Sequence, residues 1–108
     1  MGVRMTMHTQ MILRALLEDP SRELYGLELA EETGLLPGTA YPILMRLEKE
    51  EWVTSRWEDI SPEAEGRPRR RYYRLTANGA AQAKTAIASA RRPSSAALRG
   101  LAGEGGLA

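Results

Sequence analysis

The sequence predicts a mainly α-helical domain with a small β-hairpin, which is an α+β fold. Three observations indicate this class: apolar residues recur at helical spacing up to residue 50, two short extended segments follow, and an alanine-rich stretch comes after Thr76. With 108 residues, the chain is expected to form one small domain. Because a domain of this size buries a limited core, contacts with a second chain would stabilise it.

Two helices are predicted before residue 35. The first runs from Thr6 to Glu18 and stops at Asp19-Pro20-Ser21, since proline cannot continue the backbone ladder and restricts the residue before it. The second runs from Tyr25 to Thr33, and Gly34 is suited to end it in a left-handed conformation. The apolar residues of each helix share one face, which predicts a common core beneath both.

A third helix follows after a short turn. It is predicted to begin at Gly38 or Thr39, with Pro42 in its first turn, where a missing amide proton is tolerated. Its inward positions are Ile43, Leu44 and Leu47. Two short helices joined by a tight turn with a glycine at the bend predict a helix-turn-helix.

A hairpin and a fourth helix come next. The outgoing strand is predicted from Trp52 to Ile60 and the return strand from Arg69 to Leu75, with a turn or mobile tip at 61–68. Thr76 is a good N-cap for an alanine-rich helix from Ala77 to about Arg91. A helix-turn-helix followed by a β-ribbon has the layout of a winged helix-turn-helix, which binds DNA.

The return side of the hairpin is strongly basic. Between Gly66 and Arg74 the chain has five arginines and no acidic residue. The planar guanidinium suits phosphate oxygens and guanine edges, and a protruding ribbon can follow a backbone or enter a minor groove. Since the net charge is only +1, affinity for nucleic acid must come from this local segregation. The alternative is a solvated loop whose arginines pair with the acids upstream, which are Glu58, Asp59, Glu63 and Glu65.

The start of the third helix carries small and polar side chains. Thr39 and Tyr41 could contact base edges or phosphates there, and a helix N-terminus favours an anion. Alternatively, Tyr41 packs against the hairpin and contributes only to stability. Arg46 could join the same surface, or it could pair with Glu50 one turn away.

Composition excludes several other classes of function. The chain has no cysteine and one histidine, so no metal site and no cofactor are predicted. It has no nucleophile elbow and no phosphate-binding glycine loop, so we do not expect an enzyme. No apolar run is long enough to cross a membrane, and the protein is therefore expected to be cytoplasmic.

From Ile12 to Gln82 the chain resembles the PadR family of bacterial transcriptional regulators, of the small-subfamily type. The resemblance is carried by Tyr25-Gly26-Leu27-Glu28-Leu29, by the segment 38–48, which reads GTAYPILMRLE, and by the basic segments GRP at 66–68 and RYYRLT at 71–76. It implies a winged helix, a homodimer formed by the terminal helices, and repression of nearby genes. Glu51 stands where the family usually has glycine, so a left-handed backbone or an altered bend is expected there.

These observations predict four segments: a flexible N-terminus at 1–5, a winged helix-turn-helix DNA-binding domain at 6–76, a C-terminal dimerisation helix at 77–92 and a flexible tail at 93–108. The predicted function is a dimeric, sequence-specific repressor that binds double-stranded DNA at an inverted-repeat operator. An alternative is a protein-interaction adaptor whose basic hairpin binds an acidic partner. The sequence leaves open whether a small-molecule inducer exists.

Two sets of site residues are predicted. The DNA-binding set is Thr39, Tyr41, Arg46, Arg67, Arg69, Arg70 and Arg71. The dimer-interface set, on the apolar face of the first helix and the alanine-rich fourth helix, is Met7, Met11, Leu16, Ala80, Ala83 and Ile87.

Overall fold

A computed structural model describes residues 3–91 of the chain. Within this range the elements are α1 (Met7–Leu17), β1 (Leu24–Tyr25), α2 (Gly26–Thr33), α3 (Pro37–Lys49), β2 (Val53–Trp57), α4 (Pro62–Glu65), β3 (Arg71–Leu75) and α5 (Ala77–Arg91). The three strands form one antiparallel sheet in the order β1-β3-β2. This confirms the predicted mainly α, α+β fold with its hairpin. The predicted tail at 93–108 lies outside the described residues.

The first two helices begin and end where local chemistry predicts. Thr6 caps α1, because its Oγ1 accepts a hydrogen bond from the Thr9 amide at 3.1 Å. At the start of α2, the Glu28 carboxylate accepts from the Tyr25 amide at 3.3 Å. Gly34 ends α2 with φ at 79°, the left-handed conformation that glycine adopts without strain.

Helix α3 begins earlier than predicted, and this changes the place of Pro42. The helix starts at Pro37, so Pro42 is its sixth residue and lies inside the helix. The prediction that Pro42 occupies the first turn is therefore wrong. Proline removes the amide that would donate to the Gly38 carbonyl. Gly38, which loses this donor, is an exposed residue.

The sheet contains a strand that sequence patterning did not indicate. Strand β1 has only two residues and pairs Leu24 with Tyr73 and Tyr25 with Tyr72. The two predicted strands are shorter than expected, since the outgoing strand ends at Trp57 and the return strand begins at Arg71. We call residues 53–75, from β2 to β3, the wing. Its predicted tip contains the short helix α4, which Ser61 caps and Gly66 ends with φ at 69°.

The core lies between the helices and one face of the sheet. Its centre is formed by aliphatic residues that are fully or almost fully buried: Ile12, Leu13, Leu16, Leu24, Leu29, Leu44, Leu47 and Val53. Tyr73 and Leu75 of β3 are buried on the same face, as the alternation predicts. Val3 and Met5, predicted to belong to a flexible start, pack against this core.

The link from the wing to α5 is fixed by several hydrogen bonds. Thr76 is confirmed as the N-cap of α5, because its Oγ1 accepts from the Gly79 amide at 2.8 Å. The same hydroxyl donates to the Glu51 carbonyl at 2.9 Å. Glu51 has φ at 63°, so the expected left-handed backbone occurs there despite the missing glycine. At Gly79 a Cβ atom would overlap the Trp52 carbonyl, so α5 packs here only through glycine.

Half of the predicted dimer interface belongs to the core of the single chain. Leu16, Ala83 and Ile87 are 1%, 0% and 7% exposed, respectively. Their side chains join α1 and α5 to each other, so they are not available to a second chain, and this part of the prediction is corrected. The apolar periodicity marked residues that are buried but did not specify the surface that buries them. Met7 is 69% exposed, and Met11 and Ala80 are half-buried.

Candidate nucleic-acid interface

Helix α3 places the three predicted contact residues on different sides of its exposed surface. Successive residues of an α-helix turn by about 100°. With Ala40, Ile43, Leu44 and Leu47 buried, Tyr41 lies on the flank next to the wing, whereas Thr39 and Arg46 lie on the opposite flank. Arg46 is exposed and Thr39 is half-buried. One base edge therefore cannot meet all three side chains.

Tyr41 has a partner on α2. The Tyr41 side chain is 39% exposed, and its ring lies so close to Gly26 that a Cβ atom on Gly26 would overlap it. Gly26 is buried at the first position of α2. Its backbone φ is not positive, so a residue with a side chain could adopt the same backbone conformation. The glycine thus makes room for the tyrosine ring. Tyr41 therefore packs against α2 and stays partly exposed, and its contact with DNA stays a prediction.

The wing arginines differ in how they are held. Arg67 donates two hydrogen bonds to the Glu58 carboxylate, at 2.7 and 3.0 Å. The Arg70 amide donates to the same carboxylate at 3.1 Å. The Arg67 guanidinium, helped by the Arg70 amide, lowers the pKa of Glu58 to about 2. Arg67 therefore forms an ion pair within the wing. This is the alternative in which some of these arginines pair with the acids upstream.

Two further arginines stack on aromatic rings. The guanidinium carbon of Arg70 lies 4.3 Å from the centre of the Tyr25 ring, and that of Arg71 lies 4.9 Å from the centre of the Trp57 ring. Stacking occupies the face of a guanidinium and leaves donors at its edge for phosphate oxygens. Arg71 also approaches Glu48 of α3 at 3.7 Å, a distance at which water screens the pair.

Arg69 is the most openly presented member of this group. Its Nε donates to the Ile60 carbonyl at 2.9 Å, which fixes the side chain near its base. The residue is exposed. The terminal nitrogens of Arg69 are therefore positioned to meet an anion without breaking an ion pair.

A groove of about 530 Å³ separates the start of α3 from the wing, and we call it the wing groove. It brings together residues of β1, α2, α3, β2 and β3 and of the segment that precedes β3. The lining includes Tyr41, Trp57, Arg67, Arg69, Arg70 and Arg71. Five of the seven predicted DNA-binding residues thus share one concave surface. Thr39 and Arg46 do not line it.

Arg46 instead borders a second cavity on the far side of α3. This cavity has a volume of about 330 Å³, and its charged lining consists of three cations, Arg4, Arg46 and Lys49, and one acid, Glu50. The pairing of Arg46 with Glu50 does not occur, since no ion pair between them lies within 4.0 Å in the described part of the chain. Arg46 therefore keeps its charge available on this flank.

Sequence reasoning missed the row of residues at the centre of the exposed face of α3. Gly38, Pro42, Met45 and Lys49 follow one another at four-, three- and four-residue spacing, and all are exposed. We call this row the ridge. The signal was present in the sequence, because the ridge lies opposite the predicted inward positions Ile43, Leu44 and Leu47.

Comparison with known proteins identifies the family. A model of the PadR-like family of transcriptional regulators matches residues 12–85. The chain belongs to this family. No curated protein matches the chain.

Solved structures of PadR-like regulators share the fold. A PadR-like transcription factor from Bacteroides fragilis is 26% identical with a TM-score of 0.61, and the match covers 77% of this chain and 79% of that one. A PadR-like transcriptional regulator from Bacillus cereus is 28% identical with a TM-score of 0.57, over 75% of this chain and 78% of that one.

A more distant similarity shows the fold alone. A mutant of ZitR from Lactococcus lactis is 19% identical with a TM-score of 0.60, and the match covers 82% of this chain. The chain spans 54% of the length of that ZitR chain. In the PadR-like chain itself, no helix within residues 3–91 is long and apolar enough to cross a bilayer. Over the same residues, no three His, Asp or Glu side chains gather as a metal site.

Proposed function

We propose that this PadR-like regulator is a dimeric repressor that binds a specific sequence of double-stranded DNA. The observation that carries the proposal is the wing groove, where Tyr41 of α3 faces Arg69, Arg70 and Arg71 across one concave surface. Phosphate contacts from arginines position a protein on the duplex, and a helix in the major groove reads the bases. In this proposal both kinds of contact come from side chains that line the same groove.

The charge distribution supports the same function. The whole chain has a net charge of +1, yet cations lie on both flanks of α3: the wing arginines on one side, and Arg4 and Arg46 on the other. The acidic Glu58 is neutralised by Arg67 within the wing. A duplex seated on α3 would therefore meet cations along both of its phosphate strands.

Dimerisation follows from the small number of contacts that one domain offers. One helix and one wing give few base contacts, so a second copy is needed to select a genomic site. A two-fold dimer requires an inverted-repeat operator with half-sites about 34–36 Å apart. With Leu16, Ala83 and Ile87 buried in the core, we assign the interface to the outer faces of α1 and α5, through Met7, Met11 and Ala80.

A salt titration tests this function directly. The full chain would be titrated with two duplexes, one of random sequence and one selected from a random duplex library. Affinity for each would be measured at salt concentrations from about 50 to about 300 mM, where the release of counterions from DNA makes binding depend on salt. The proposal expects weak, steeply salt-dependent binding to the random duplex and tighter binding to the selected one. Sedimentation at micromolar concentration should report a dimer. Absence of any duplex binding at low salt would refute the proposal and favour an adaptor with an acidic protein partner.

A further inference from the structure

The middle of the ridge, at Pro42 and Met45, is apolar, whereas Lys49 at its end is cationic. Met45 is 67% exposed, although a thioether gains from burial, and Pro42 is exposed one turn before it. Neither side chain can accept or donate a conventional hydrogen bond. The ridge therefore has no means of reading the hydrogen-bonding edge of a base at these two positions.

The residues on both sides of the ridge would direct it toward the floor of the DNA major groove. On one side lies the wing groove with its arginines, and on the other lies the cavity with Arg4 and Arg46. The major groove is about 12 Å wide, which matches the diameter of an α-helix with its side chains. With both phosphate strands directed to the flanking cations, Pro42 and Met45 point at the base edges between them.

The apolar feature of the major groove is the C5-methyl group of a pyrimidine. We propose that Met45, supported by Pro42, recognises C5-methyl groups in the operator, and this inference rests on the proposed function. The unbranched thioether of Met45 can adapt its shape to a methyl group, whereas the proline ring offers a rigid apolar surface. Thymine and 5-methylcytosine both present this group.

Removal of single methyl groups from the operator tests the inference. In a sequence selected from a random library, each thymine is replaced in turn by deoxyuridine, which removes the methyl group and keeps every hydrogen-bonding atom. We expect at least one position per half-site where the loss weakens wild-type binding by about fourfold, the effect of one buried methyl-sized group. A parallel selection from a library that carries 5-methylcytosine distinguishes the two sources of the methyl group.

Variants at Met45 connect the effect to the ridge. Met45→Leu keeps an apolar side chain and should keep the deoxyuridine penalty. Met45→Gln keeps the length of the side chain but adds an amide. For this variant, deoxyuridine at the position that Met45 contacts should no longer weaken binding, a change of about onefold, whereas deoxyuridine at other sensitive positions should weaken binding as before. Since Met45 is exposed, both variants should unfold at the same denaturant concentration as the wild type.

The outcomes separate the two levels of the hypothesis. If the chain selects no duplex sequence, the proposed function fails. If it selects a sequence but tolerates deoxyuridine at every position and gains nothing from 5-methylcytosine, methyl recognition is overturned and the proposed function stands. A penalty that Met45→Gln leaves unchanged would also overturn the assignment, because another residue would then make the contact.

Discussion

Helix α3 and the wing face the same groove but are held in place by different physics. Four side chains of α3 are buried in the core, and Leu44 and Leu47 are fully inaccessible. The wing beyond β2 and β3 is held at its surface by the Arg67–Glu58 ion pair and by stacked arginines. Core burial fixes a helix to a fraction of an ångström, whereas surface ion pairs are weak and screened by salt. In the proposed function, α3 reads the bases from a fixed position and the less firmly held wing follows the phosphates.

The largest expected effect comes from a substitution in the buried face of α3. Leu44→Ala removes a fully buried side chain and leaves a cavity, so it should lower the free energy of unfolding by about 2–5 kcal/mol. The matched control is Met45→Ala, one residue along the same helix and 67% exposed, which should change stability by less than about 0.5 kcal/mol. Denaturant unfolding measures both. Equal effects of the two variants would mean that α3 is not anchored by its core face.

The wing arginines provide the next test. Replacing Arg69, Arg70 and Arg71 together by alanine should leave the fold intact and weaken binding to selected and random duplexes alike. The slope of log affinity against log salt should flatten by about one unit per lost phosphate contact. Arg74→Ala is the control, because Arg74 is an exposed arginine on β3, the strand that carries Arg71, but does not line the wing groove. An unchanged salt slope in the triple variant would show that these arginines do not touch phosphates.

The contact between Gly26 and Tyr41 tests whether the position of the tyrosine ring matters for specificity. In Gly26→Ala the new Cβ would overlap the ring and displace it, although the backbone can accept alanine. We expect specific binding to fall by about tenfold, on the order of one lost base contact, while random binding changes little. The double variant Gly26→Ala/Tyr41→Ala should bind no worse than Tyr41→Ala alone, since no ring remains to be displaced. Additive losses would contradict the coupling.

The comparison also shows how far sequence reasoning reaches. Helices α1, α2 and α5 were predictable because their caps and apolar spacing are local, as at Thr6, Gly34 and Thr76. The start of α3 and the short helix α4 were not. Strand β1 was not, because two residues show no alternation and the strand exists only through pairing with β3. The cluster of arginines was visible in the sequence, but which of them form ion pairs within the protein was not. Pairing of Arg67 with Glu58 depends on the register of the hairpin, in which the Glu58 amide donates to the Arg70 carbonyl.

The smallest expected effect concerns the ion pair that closes the wing. Because Arg67 lowers the pKa of Glu58 from its usual 4.5 to about 2, the folded state favours the charged carboxylate. This contribution to stability is complete above pH 4.5 and is lost as the pH falls through about 2. The wild type should therefore be slightly more stable than Glu58→Gln at pH 6, and the difference should close toward pH 2.

The unfolding midpoints of the wild type and of Glu58→Gln would be measured at intervals across that pH range. Taking the difference between the two midpoints at each pH cancels the effect of the other carboxylates, which titrate in both proteins. Added salt at pH 6 should narrow the gap as well, since the pair lies near the surface of the wing. A difference that stays constant with pH would mean that the folded state does not favour the charged carboxylate, so that Arg67 does not stabilise Glu58 as an ion pair. Arg67 would then return to the set of arginines free to bind phosphate.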